Sequence, residues 1–226
     1  MNIRGLKPMK LMALTDIHED PSHLAHIADQ LVAVDLIVLA GDLTNATGTI
    51  GATAVINALH QYNQHILAVP GNWDNDATAA YLDDEGINLD NRHIIIEGVA
   101  FAGAGGSLRS IVPTPNEYTE EELATTLDKV ISGCNPTLPL VLVCHQPPIN
   151  THNDLTWTQL HVGSHAVRTF IENVQPIICF TGHIHEGVGI DMIGQTQVVN
   201  PGLLFNGGYA YAEIAPSHMH VECRHI

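Results

Sequence analysis

Short apolar runs, each closed by a polar side chain able to bind metal, constrain this chain more than any other feature. Residues 10–15, 36–40, 66–69, 140–144 and 177–181 read as strands without polar alternation. A strand of that kind is covered on both faces, which implies a mostly parallel sheet flanked by helices. The intervening segments supply the helices: 21–34, 49–62, 77–84, an acidic one at 119–131, and 164–174. Between the two βα blocks, residues 94–106 read as strand, turn and strand, and residues 187–223 as antiparallel strands. No low-complexity linker or fixed-period repeat divides the chain, so residues 1–226 are read as one domain. The expected fold is α/β, a four-layer α/β/β/α sandwich of two facing mixed sheets with helices outside.

Five segments lie just past the carboxyl ends of those strands: Asp16-Ile17-His18, Gly41-Asp42, Gly71-Asn72-Trp73-Asp74, Cys144-His145 and Gly182-His183-Ile184-His185. Ligand sites of α/β sheets gather at that edge. Asp16 and His18 are two apart, as are His183 and His185, so in extended backbone each pair shares a face. Asp16, His18, Asp42, Asn72, His145, His183 and His185 together offer seven oxygen and nitrogen donors, enough for two adjacent divalent cations. A carboxylate can bridge two cations, and Asp42 is the natural bridge. Imidazole mixed with carboxylate and amide suits Mn, Fe, Co, Ni or Zn better than Mg or Ca, which prefer all-oxygen shells. The lack of thiolate donors argues against a structural zinc site.

In order and residue type the five segments resemble the calcineurin-like metallophosphoesterases, over nearly the whole chain. The resemblance implies that Asp16, His18 and His185 complete one metal site with Asp42, and Asn72, His145 and His183 the other. It further implies hydrolysis of a small-molecule phosphate ester, with a metal-bridging hydroxide attacking in line. Asp42 and Asn72 are then both metal-binding and catalytic. Where much of the family reads Gly-Asn-His, with a histidine placed to protonate the leaving group, this chain has Trp73. An indole N–H cannot deliver a proton at neutral pH. His152, seven residues past His145 in a polar loop, is the expected substitute acid, and Trp73 an expected wall for substrate. Asp74 is expected to steady a ligand imidazole. Residues 105–107, 114–117 and 163–168 resemble loops of the small Icc-related phosphoesterases. Arg109 could meet a phosphate there, and the Gly105-Gly106 amides could cradle one. His161 and His165 lie near the same edge and are assigned no role.

Charge narrows the substrate. The chain has 24 acidic residues against 8 basic, a formal charge of −16. Such a surface repels polyanions and counts against nucleic acid as a partner. It also tilts the reading from monoester dianions towards phosphodiesters. Gly41-Asp42-Leu43-Thr44-Asn45 lacks the arginine that protein phosphatases carry after this motif. The alternative function is a non-catalytic metal-containing binding or scaffold module on the same fold. Such modules usually lose metal donors, and all seven are present here. No apolar run is long enough to span a membrane, and residues 1–10 lack the apolar core of a signal peptide. Four scattered cysteines suggest no disulfide framework. The cytoplasm is the expected location, and the apolar C-terminal strands leave a homodimer or higher homo-oligomer open.

Overall fold

Strands with apolar side chains on both faces need cover on both sides. In the computed structural model, which describes residues 7–216 and 218–226, two sheets and their helices provide it. The first block runs β1 (Met9–Leu14), α1 (Ala28–Ala33), β2 (Leu36–Ala40), α2 (Thr49–His60), β3 (Ile66–Val69) and α3 (Asp76–Asp84). A hairpin follows, β4 (His93–Ile96) and β5 (Val99–Ala104). The short parallel pair β6 (Ser107–Leu108) and β7 (Glu117–Tyr118) precedes α4 (Glu120–Val130). The second block is β8 (Leu140–Cys144), α5 (His165–Val174) and β9 (Ile178–Phe180). The tail consists of β10 (Gly189–Ile193), β11 (Thr196–Asn200), β12 (Gly208–Ile214) and β13 (Met219–His225).

One sheet has the order β13-β12-β1-β2-β3 and the other β10-β11-β9-β8-β5-β4. The motif-bearing strands β1, β2 and β3 are parallel, as are β8 and β9, so their carboxyl ends point to one edge of each sheet. The pleat sorts the core. Leu11 and Ala13 of β1 join Val38, Phe101, Val143 and Phe180 between the sheets. Met12 and Leu14, one residue out of phase, pack with Leu31, Val55 and Leu59 of α1 and α2. Across the second sheet, Leu142 and Cys179 pack with Leu123 and Leu127 of α4 and Phe170 of α5. The result is the expected α/β/β/α sandwich.

Three local expectations need correction. The helix expected over 21–34 is a 3-10 segment, Ser22–Ile27, continued by α1. Neither Pro21 nor Ile27 supplies a side-chain cap, and the Leu24–Ile27 spacing buries one face equally well at three residues per turn. The tail is not purely antiparallel, because β11 joins β9 in parallel while β12 crosses to the other sheet and pairs antiparallel to β1. The middle loop also forms the β6–β7 pair, too short to leave a periodic signal. Elsewhere local chemistry agrees with the pattern. Thr119 and Glu122 close a reciprocal capping box at the start of α4, a device worth about 1 kcal/mol. The absence of a signal peptide concerns residues 1–10, of which 1–6 lie outside the described residues. Among the described residues no helix is long and apolar enough to cross a membrane.

Candidate metal centre

The carboxyl ends of the two sheets meet, and backbone contacts stitch them together. His145, just past β8, donates its backbone N–H to Ala104 at the end of β5. Its ring reaches across to the first sheet, where Nδ1 lies 2.7 Å from the carbonyl of Ala40. A carbonyl accepts only, so Nδ1 carries a proton there and Nε2 is the nitrogen that faces the site. That Nε2 is 2.9 Å from Asn72 Oδ1 and 3.5 Å from Asp42 Oδ2. Asp42 Oδ2 is also 3.7 Å from His18 Nε2, which places the carboxylate between two imidazoles from opposite sides of the cluster. Asp16 Oδ1 lies 3.2 Å from His185 Nε2 and 4.0 Å from His18 Nε2. His183 joins through its backbone N–H, 3.2 Å from Asp16 Oδ2, and its ring centroid is 5.3 Å from that of His145.

Two sets of donor atoms are close enough to share a cation: Asp16, His18 and His185, and Asp16, Asp42 and His145. Asp16, Asp42, Asn72 and His145 are buried, whereas His18 is partly exposed and His185 is exposed. Two nearly inaccessible carboxylates facing imidazole nitrogens, with an amide oxygen beside them, form a donor set that fits divalent cations.

The backbone reaches this arrangement by turning. Asp16, His18, Asp42 and His183 have φ of 51°, 47°, 50° and 67°, in the left-handed region that non-glycine residues avoid. The expectation that Asp16 and His18, and His183 and His185, project from extended strands is therefore wrong. Each strand stops short and its loop folds over the neighbouring strand end. Asp16 and His18 donate their N–H groups to the carbonyls of Gly41 and Asp42. Strained backbone held by such bonding is a recurrent mark of functional sites. Gly41 has φ 99°, and a Cβ there would run into the His145 ring; one on Gly71 would run into Asp42.

The electrostatics follow from the pairing. Burial acts to raise Asp16, yet the hydrogen bond from His185 and the charges of His145 and His185 outweigh it and hold its pKa at about 2. Burial likewise acts to lower His145, but Asp42 and Asp16 push it up to about 9. His183 goes the other way, to about 4, through burial and the neighbouring His145. At pH 7 the metal-free site therefore holds a protonated His145 beside a neutral His183. Ligation needs neutral Nε2, so cation binding must expel the His145 proton. We expect apparent metal affinity to rise with pH up to about 9. Calorimetry in buffers of different ionisation enthalpy at pH 7 will then register proton release, and a heat independent of buffer would contradict it.

Two supports escaped the sequence reading. Asn45 Oδ1 lies 2.9 Å from His18 Nδ1 while its amide holds the His18 carbonyl, fixing that ring. Thr15 donates its hydroxyl to Asp16 Oδ2 at 2.8 Å. The only signal for either was adjacency to a motif. Asp74, expected to hold an imidazole, instead accepts from the N–H groups of Leu43, Thr44 and Gly71 and from the Thr44 hydroxyl. It pins the loop that carries Asp42. Trp73 is at the site, with its backbone N–H donating to Asp42 Oδ1 at 2.8 Å and its side chain partly exposed.

Other expected residues are not brought to the donors. His152 places its Nε2 3.0 Å from the carbonyl of Val188 and its backbone N–H on Asp191. Arg109 is exposed and faces Glu122 at 3.7 Å. The amides of Gly105 and Gly106 are taken up by Asp90 and Pro70, which removes them as a phosphate cradle.

A family model described as calcineurin-like phosphoesterase matches residues 9–187. An uncharacterized protein of Methanocaldococcus jannaschii is 37% identical over 201 residues, spanning 87% of this chain and 89% of that one. In fold, the chain is similar to a crystal structure from Thermus thermophilus at TM-score 0.73 and 18% identity, covering 95% of this chain and 98% of that one. It is also similar to a dimetal phosphatase from Danio rerio at TM-score 0.69 and 13% identity, covering 96% of each. Fold, donors and family match together define a metal-dependent phosphoesterase. The chain belongs to the calcineurin-like phosphoesterase family.

Proposed function

We propose that this protein hydrolyses a small phosphodiester with two bound divalent cations, Mn²⁺ or a similar transition metal being the preferred pair. Asp16, His18, His185 and Asp42 would hold one, and Asn72, His145, His183 and Asp42 the other. Bound there, such a pair supplies a nucleophilic hydroxide at neutral pH and offsets charge on the phosphoryl oxygens. The chain's own groups do the rest. Asn72 donates an oxygen without adding negative charge, so the site stays attractive to an anion. The Asp42 carboxylate is held between imidazoles and tied by the Trp73 N–H. The partly exposed indole of Trp73, whose backbone is tied to Asp42, would offer a flat wall suited to an apolar or aromatic part of the ester.

The observation that carries the diester preference is the absence of fixed cationic side chains at the site. Among the described residues no Lys or Arg meets any of the seven donors. Arg92, Arg109, Arg168 and Arg224 are all paired with carboxylates elsewhere. A monoester dianion would bring a second charge that only the cations could offset, whereas a diester brings one. Residues 1–226 are taken as one domain, since one apolar cluster joins both sheets. Four free cysteines support a reducing, cytoplasmic setting. Only Trp73 favours the scaffold reading, and the convergence of all seven donors weighs against it.

Nitrophenol release from bis-p-nitrophenyl phosphate and from p-nitrophenyl phosphate, on chelator-stripped protein before and after adding Mn²⁺, tests this proposal. We expect metal-restored turnover with the diester exceeding the monoester in kcat/KM. A faster monoester would overturn the diester preference, and metal-bound protein inert to both would favour the scaffold.

A further inference from the structure

Resting on the phosphoesterase reading, we propose that His161, oriented by buried Asp154, is the residue that protonates the leaving group in place of the histidine missing at Trp73. The segment from Thr151 to Gly163 leaves the second sheet after β8 and returns to the start of α5. His161 Nδ1 is 2.7 Å from Asp154 Oδ1, and the Asp154 side chain is fully buried while the His161 ring is 40% exposed. Asp154 is itself fixed, since its carboxylate accepts from the backbone N–H groups of Asn150, Thr151 and Gly163. A buried, immobilised carboxylate on one nitrogen of a half-open imidazole sets the tautomer and aims the other nitrogen outward. Among the described residues no protein group meets His161 Nε2.

Three ties hold this loop at the metal edge. Gln146, adjacent to His145, donates its amide to the Val162 carbonyl at 3.2 Å. Glu186, adjacent to His185, accepts the Trp157 N–H at 3.0 Å. Asn153 donates to the carbonyl of Gly187 at 2.9 Å. Each tie ends within two residues of a metal donor, so the loop bearing His161 lies along the side where His145 and His185 stand. The competing candidates are spent or unfit: His152 Nε2 is bonded to Val188, and Trp73 cannot give up a proton at neutral pH.

The step balances. An oxygen from water forms the new P–O bond as the bond to the leaving group breaks, and the electron pair of that bond stays on the departing oxygen. This oxygen takes the Nε2 proton of the His161 imidazolium. The ring is left neutral, with Nδ1–H still on Asp154, and regains a proton from solvent, where the proton lost by water goes.

The test is a leaving-group comparison with His161→Gln, using diphenyl phosphate and bis(2,4-dinitrophenyl) phosphate in Mn²⁺ with metal content measured in parallel. A poor leaving group needs the acid and a good one does not. We expect kcat on diphenyl phosphate to fall about 100-fold or more, the loss on the dinitrophenyl ester to be at least ~10-fold smaller, and metal content to match the wild type. Equal losses on both esters, or no loss on either, would overturn the role of His161 and leave the phosphoesterase reading standing. Wild-type protein inert to both esters with metal bound would overturn both.

Discussion

Asp42→Asn is expected to cut metal-dependent turnover by well over ~100-fold while leaving the fold intact. Removal of groups that merely orient metal ligands commonly costs about 10–100-fold in affinity or activity, and Asp42 stands at the centre of the cluster. Its Oδ2 faces His18 at 3.7 Å and His145 at 3.5 Å, while its Oδ1 accepts the Trp73 N–H. Asparagine keeps the shape and one oxygen but loses the charge and the ability to bridge through two oxygens. The side chain is almost inaccessible, so no outside group can take its place. The checks are kcat/KM with Mn²⁺, metal content after gel filtration, and circular dichroism. A variant retaining a tenth of wild-type activity would show that Asp42 does not join the two sites.

Asp74→Ala should produce the largest loss of stability of any substitution near the site that removes no metal donor. Its buried carboxylate accepts three backbone N–H groups and one hydroxyl, all belonging to the loops that carry Asp42 and Asn72. Each buried donor left without a partner costs about 1–3 kcal/mol. With water entering part of the vacated space, a net loss of about 3–5 kcal/mol is expected. For a chain of this size that lowers Tm by about 6–20 °C. Thermal unfolding of metal-free protein measures it without interference from ligand binding. A fall of less than ~3 °C would mean that the loops hold their shape without Asp74. Activity should fall too, because Asp42 stands at φ 50° only while its neighbours are pinned.

The sequence was most legible where burial acts on both faces. The bounds of β2, β3 and β8 can be read directly from Leu36–Ala40, Ile66–Val69 and Leu140–Cys144, because a strand covered on both sides admits no polar residue until it ends. The candidate donors Asp42, Asn72 and His145 stood out for the same reason, as the first polar side chains past those runs. What failed was anything set by contacts between distant segments. The left-handed turns at Asp16 and His183 depend on carbonyls and carboxylates 25 or more positions away. The task of Asp74 depends on amides at 43 and 44, and nothing in Gly-Asn-Trp-Asp says which backbone will face it. His161 was one of fifteen histidines until the fold set it on a buried carboxylate seven residues earlier. His152 looked the better acid by position alone, and its ring turned out to be occupied.

The most direct test of the central claim is a metal titration of chelator-stripped protein, with bound cation counted by mass spectrometry and diester turnover followed in the same samples. Two cations per chain, with turnover appearing as the second binds, is the predicted result. One cation or none at saturation, or full turnover in the stripped protein, would contradict a two-metal phosphoesterase built on Asp42.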